Sequence, residues 1–170
     1  MTLENTHFDL EAHLQNVKSF LERAKYGIKQ PDYIGFVSPH IHAEKKEGAK
    51  GSTIFGVVRK SLDEALDGLR DLVALKKLRG KDCDYLLVLP PVSEYDIIEF
   101  LTTGRCWYLD IKKEAFLIWI SDIERKTITS ILGWPLDESF KDWFDNPAVA
   151  NFDSYIGQLL NKKMLEEEDF

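Results

Sequence analysis

Pro39-His40-Ile41-His42-Ala43-Glu44 sets two imidazoles and a carboxylate at alternate positions. On an extended backbone side chains alternate faces, so His40, His42 and Glu44 would share one face. Neutral imidazole and carboxylate suit Zn, Fe, Mn or Ni, and three protein ligands leave a coordination position for water or substrate. A His-x-His pair also occurs on wet strand ends that hold no ligand. The other two histidines, His7 and His13, fall in or beside the first expected helix and do not complete the set. Cys83 lies between Asp82 and Asp84, whose charges oppose a thiolate, so a nucleophilic role is disfavoured there. Cys106 precedes an expected strand and reads as a small buried residue. The glycine-rich phosphate loops, the Gly-x-Ser-x-Gly elbow and the Cys-x-x-Cys pair are all missing, which removes the common nucleotide, hydrolase and redox signatures.

The elements that must position these groups follow from hydrophobic period. Thr6 with Asp9 resembles a capping box, and Leu10, Leu14, Val17, Leu21 and Ala24 recur at helical spacing up to Tyr26-Gly27. Tyr33 to Val37 and Thr53 to Val58 are rich in β-branched and aromatic residues and predict neighbouring strands, with the polar Glu44 to Gly51 stretch reversing the chain. Ser61 with Glu64 forms a second capping-box pattern ahead of an apolar stripe from Leu62 to Leu78, and Gly80 is placed to stop that helix. Tyr85 to Leu89 is a continuous apolar run, as in an interior strand covered on both faces. Ser93 opens a short helix that closes at Gly104, and Trp107 to Ile111 and Ala115 to Ile120 predict two strands about Lys112-Lys113-Glu114. From Asp122 onward the pattern predicts a helical extension broken at Gly133-Trp134-Pro135, with its aromatic residues in the core.

At 170 residues the chain reads as one α/β (α+β) domain, with a core over about 8–121, a helical extension over about 122–165 and an acidic tail at 166–170. Its expected architecture is a central mixed sheet of about five strands flanked by helices. With 44% hydrophobic and 30% charged residues it has the balance of an ordinary soluble globule. No apolar run approaches the roughly 18 residues of a membrane span, nothing near Met1 looks like a signal peptide, and the expected location is the cytoplasm. The net charge is −7, yet Lys45 to Lys81 holds ten basic and five acidic residues, so this stretch carries +5 and the remainder −12. An acidic whole argues against non-specific nucleic-acid affinity, leaving nucleic acid possible only through the basic 45–81 stretch. Lys76, Lys77, Arg79 and Lys81 are also what a helix C-terminus favours in its last turn.

The spacing of Gly35, His40, His42, Glu47 and Gly51 loosely resembles the first motif of cupins, but the chain has no second histidine motif and is too helical for that barrel. A wider resemblance covers about Phe8 to Pro90. The order helix, strands, Ser-capped helix, apolar strand is similar to the core of the restriction-endonuclease-like superfamily, the PD-(D/E)XK nucleases. Val57-Val58-Arg59-Lys60, the helix after it and Tyr85-Leu86-Leu87-Val88-Leu89-Pro90 look like that family's catalytic strand, following helix and next strand. The resemblance implies two acidic residues that hold divalent metal (Mg, Mn or Zn) beside the scissile phosphate, and a lysine that positions or activates water. Matched by letters, Pro31-Asp32 and Glu44-Lys45-Lys46 give Asp32, Glu44 and Lys46. Matched by place in the fold, Lys60 keeps the lysine while Val58 stands where the carboxylate belongs. Since valine cannot bind magnesium, the expectation is a non-catalytic interaction or regulatory module with a protein partner. The alternative is a metal-dependent nuclease or phosphodiesterase using Asp32, Glu44 and Lys46 or the His40, His42 and Glu44 face.

Overall fold

Helix α1 (Leu10–Arg23) starts where the Asp9 carboxylate accepts the Ala12 N–H at 3.0 Å. Asp9 is thus the cap itself rather than the distal half of a box. Thr6, its expected partner, lies outside the residues that this computed structural model describes: 8–45, 52–93, 96, 100, 116–132, 135–137 and 140. Helix α1 ends in a left-handed residue, Lys25 (φ 73°), with Tyr26 N–H on Leu21 O and Lys25 N–H on Glu22 O, both at 3.0 Å. That bond pair is the Schellman arrangement, which usually takes glycine at the left-handed position.

Among the described residues six strands follow in one sheet: β1 (Gly27–Ile28), β2 (Ile41–Glu44), β3 (Thr53–Val58), β4 (Asp84–Leu89), β5 (Leu117–Asp122) and β6 (Thr127–Leu132), in spatial order β1 to β6. The pairs β1/β2, β2/β3 and β5/β6 are antiparallel; β3/β4 and β4/β5 are parallel, so the sheet is mixed as expected. Between β3 and β4 runs helix α2 (Ala65–Arg79), the crossover that two parallel neighbours require. It is entered through one 3₁₀ turn, Leu62–Glu64, in which Glu64 N–H bonds to Ser61 O. The Ser61 hydroxyl makes no capping bond, so the expected box is not formed. Gly80, at φ 87°, ends α2 with its N–H on Lys76 O at 2.8 Å.

Alternation along the strands gives two apolar layers. Ile54, Val58, Leu86, Val88, Leu117 and Trp119 pack with Val17, Phe20 and Leu21 of α1. Phe55, Val57, Leu87, Leu89 and Ile118 pack with Leu69, Leu72 and Leu75 of α2. Every residue of β4 is buried, as its unbroken apolar run demands. Phe20 is fully buried, edge-on to Trp119 at 5.3 Å and stacked on Phe140 at 5.9 Å. Removing such a ring costs about 3–5 kcal/mol, so Phe20→Ala is expected to be strongly damaging to the α1 layer.

Beyond the Asp9 cap, three expectations are corrected. Tyr33 to Val37 is not the strand beside β3. Gly35 takes φ 62°, and Ile34 and Val37 exchange two backbone bonds at 2.8 and 3.1 Å, which closes a tight turn; β2 is Ile41–Glu44 instead. The stretch expected to begin the helical extension is a turn and strand β6, because Thr127-Ile128-Thr129-Ser130 alternates on a period of two. The third correction is the missing Ser61 cap. The strand expected at Trp107 to Ile111, its hairpin at Lys112 to Glu114 and most of the 133–165 extension lie outside the described residues. Among the described residues no helix is long and apolar enough to cross a membrane.

Candidate functional site

Strand β2 faces β3, and this seam carries most of the expected site. His42 sits opposite Phe55, and Glu44 opposite Thr53. The two side chains share a face, with His42 Nε2 and Glu44 Oε1 3.0 Å apart; Lys29 Nζ stands 3.5 Å from Glu44 Oε2. The hydrogen bond to His42 is the main cause that lowers the Glu44 pKa, with Lys29 helping and burial opposing. The His42 ring lies against Phe55, centroids 4.7 Å apart.

His40 is used differently. It lies one residue before β2, and its Nδ1 accepts the Val58 N–H at 2.8 Å while the His40 backbone N–H donates to Gly56 O at 2.9 Å. An Nδ1 that accepts must be unprotonated, which leaves a neutral ring with the proton on Nε2. Burial, reinforced by the nearby Arg59 charge and opposed by Asp71, lowers the His40 pKa and favours that form. The expected trio therefore brings together two members, His42 and Glu44, and commits the third to the backbone of β3. Among the described residues no three His, Cys, Asp or Glu side chains form a group that could hold a metal ion.

Asp32 is exposed, with Oδ1 accepting the N–H of the following Tyr33 at 2.8 Å. Lys60 is 60% exposed at its side chain and pairs with Glu64 one helical turn on, at 3.5 Å. Lys46 lies outside the described residues.

The charged centre of the seam is Arg59, a residue that spacing did not single out. Its side chain is only 13% exposed. Nη2 meets Asp71 Oδ2 at 2.6 Å, Nε bonds Asp67 Oδ2 at 3.3 Å, and Nη1 donates to Val58 O at 3.1 Å. Asp67 and Asp71 stand four apart on α2, the spacing that puts two side chains on one helix face, and this was the available signal. Charge-assisted bonds of this kind are about twice as strong as neutral ones. Together they tie the end of β3 to the first half of α2.

A second polar group gathers at the opposite end of the strands. Asp84 opens β4, is 5% exposed, and accepts the Leu136 N–H at 3.0 Å. Burial pushes its carboxyl up to about 7, with the Asp137 charge adding to the rise and the Leu136 bond opposing it. Asp137 Oδ2 receives the Tyr26 hydroxyl at 3.1 Å and Lys45 Nζ at 2.5 Å. Tyr26 and Lys45, with Glu44 and Lys29, line an open cleft of about 920 Å³ beside β1. Burial and then Asp137 raise the Tyr26 pKa, so its hydroxyl keeps its proton as the donor. The Cys83 thiol is also pushed up, chiefly by burial and further by Asp84 and Asp82.

No protein-family model matches the chain, and no curated protein matches it. Solved structures resemble it, two of them as follows. An XisH family protein from Nostoc punctiforme PCC 73102 aligns at 20% identity with a TM-score of 0.48, over 69% of this chain and 95% of that one. An fdxN element excision controlling factor protein from Anabaena variabilis aligns at 17% identity with a TM-score of 0.45, again over 69% and 95%.

What the seam can do chemically follows from its donors. The nuclease resemblance would call for carboxylate oxygens that converge on one ion, with Val58 matching one carboxylate position. The position on β3 is filled by Val58, 3% exposed and packed in the α1 layer, and a hydrocarbon side chain offers no lone pair. The adjoining Arg59 is paired with Asp71 and Asp67 of α2, so those two carboxylates are engaged by a guanidinium. The described donors do not fit the group.

Proposed function

We propose that the chain is a non-catalytic interaction or regulatory module built on a restriction-endonuclease-like core. The order α1-β1-β2-β3-α2-β4, with β1 to β3 antiparallel and β3/β4 parallel, supports the kinship in topology. The observation that carries the functional reading is the internal neutralisation of Arg59 by Asp71 and Asp67 beside a buried Val58. A guanidinium at the end of β3 neutralised by two acids of α2 makes a rigid joint rather than a site that waits for phosphate. The test is incubation with supercoiled and single-stranded DNA in millimolar Mg or Mn, scored for cleavage over hours. The module reading expects no products; metal-dependent cleavage abolished by Glu44→Ala contradicts it.

A second reading, a metal-dependent phosphodiesterase, draws support from one feature, the close approach of His42 and Glu44 on one face. In that reading Glu44 joins either His40 and His42 or Asp32 and Lys46, and Lys60 is the alternative lysine.

A further inference from the structure

The turn at Tyr33–Val37 presents an apolar knob that the fold has gone to some length to hold. Phe36 is 104% exposed and Tyr33 72% exposed, and Leu78, at 60%, lies beside them on the last turn of α2. The contact is close: a Cβ at Gly35 would fall 2.8 Å from Leu78 Cδ1, and φ 62° already restricts that position to residues that tolerate the left-handed region. Beneath the turn, Val37 is buried in the α2 layer and Ile34 packs against it. Tyr33 and Phe36 are therefore fixed outward by a rigid base. Large aromatic side chains exposed in this way mark contact surfaces more than they mark ordinary surface.

Basic residues flank Leu78 in sequence. Lys77, Arg79 and Lys81 are all exposed at or just after the end of α2, with Asp32 and Asp82 as the acidic residues next to them in sequence. The complementary surface must present carboxylates together with an apolar side chain. This chain contains such a segment: Met164-Leu165-Glu166-Glu167-Glu168-Asp169-Phe170 holds four consecutive acids between Leu165 and Phe170. Between Phe140 and Met164 there are 24 residue steps. At ~3.3 Å per extended residue that tether reaches roughly 80 Å. A domain of this size is only about 40 Å across, so the segment can reach the knob from the same copy.

We propose that the acidic segment 164–170 docks on the Tyr33/Phe36/Leu78 knob, with its carboxylates on Lys77, Arg79 and Lys81. The proposal rests on the interaction-module reading and gives that module an occupant.

Zero-length carbodiimide coupling of the full chain, followed by peptide mass spectrometry of the monomer band, tests it. Amide bonds between Lys77 or Lys81 and Glu166 to Asp169 are expected, with yield falling several-fold in 0.5 M NaCl as exposed charges are screened. Phe36→Ser alters a fully exposed side chain, so it is expected to leave the melting temperature unchanged and to cut the yield at least fivefold. The proposal is overturned if these links are absent, or if they persist undiminished in Phe36→Ser. It is equally overturned if a labelled oligothymidylate binds through Phe36 and Lys81 in place of the segment. None of these readouts involves metal or hydrolysis, so failure here leaves the non-catalytic reading standing, and failure of that reading is seen separately as cleavage.

Discussion

Asp71 Oδ2 stands 2.6 Å from Arg59 Nη2, a charge-assisted contact that joins the end of β3 to the second turn of α2. Asp67 reaches the same guanidinium at 3.3 Å, but its side chain is 73% exposed against 35% for Asp71. The two acids are therefore unequal. Desolvation makes the Asp71 pair the one whose loss is felt, while water screens the other.

Asp71→Ala is expected to lower stability by about 1–3 kcal/mol, because it leaves a mostly buried guanidinium short of its main partner. Asp67→Ala should cost no more than ~0.5 kcal/mol. Urea denaturation of both variants measures the difference, and equal losses would remove Asp71 as the anchor.

Asp84 gives a pH dependence of definite sign. Its folded carboxyl is raised from 3.8 to about 7, so the folded state holds a proton that the unfolded state releases across that window. Stability from this group is fully present below pH ~4 and is lost as pH rises toward 7. Asp84→Asn keeps an acceptor for the Leu136 N–H and removes the ionisation beside Asp137. It should raise stability by about 1–3 kcal/mol at pH 8 and leave it almost unchanged at pH 4. Melting curves at the two pH values decide; a variant less stable than wild type at pH 8 contradicts the assignment.

His40 works in the opposite direction. Its pKa is lowered in the folded state, so the unfolded chain binds the extra proton first, and this contribution is lost as pH falls below about 6.5. Proton NMR should find the His40 ring titrating below the free-imidazole value, and His40→Phe should flatten the acid limb of the stability profile while losing the Val58 N–H bond. A His40 resonance titrating at or above 6.5 would contradict the acceptor role of Nδ1.

Lys25 occupies the left-handed position that closes α1, at φ 73° and exposed. Lys25→Gly should raise stability by about 0.5–1 kcal/mol, since glycine adopts that conformation without the Cβ penalty. Chemical denaturation checks it, and a loss of stability would mean that the Lys25 side chain has a role beyond its backbone.

The helices and the interior strands were legible because period alone identifies them. Leu14, Val17 and Leu21 mark one face of α1, and the unbroken run of β4, of strand length and closed by Pro90-Pro91, suits burial on both faces. Tyr33 to Val37 misled because its aromatic and β-branched content is that of a strand, while Gly35 at positive φ makes it a turn. Strand β6 was obscured by the Gly133-Trp134-Pro135 break that follows it, although its own alternation was present. His42 and Glu44 were correctly placed on one face by spacing of two. The union of Arg59 with Asp67 and Asp71, and of Asp84 with Leu136, joins residues 8 to 52 positions apart, and only the packed sheet brings those together.

The central claim is that the β2–β3 seam is a closed structural joint. Thermal melting with and without millimolar Mn or Mg tests it most directly, because a metal bound only by the folded state raises the midpoint as RT ln(1 + [L]/Kd). An unmoved midpoint is the predicted result. A rise of several degrees that disappears in Glu44→Ala would contradict the claim and restore the metal-dependent reading.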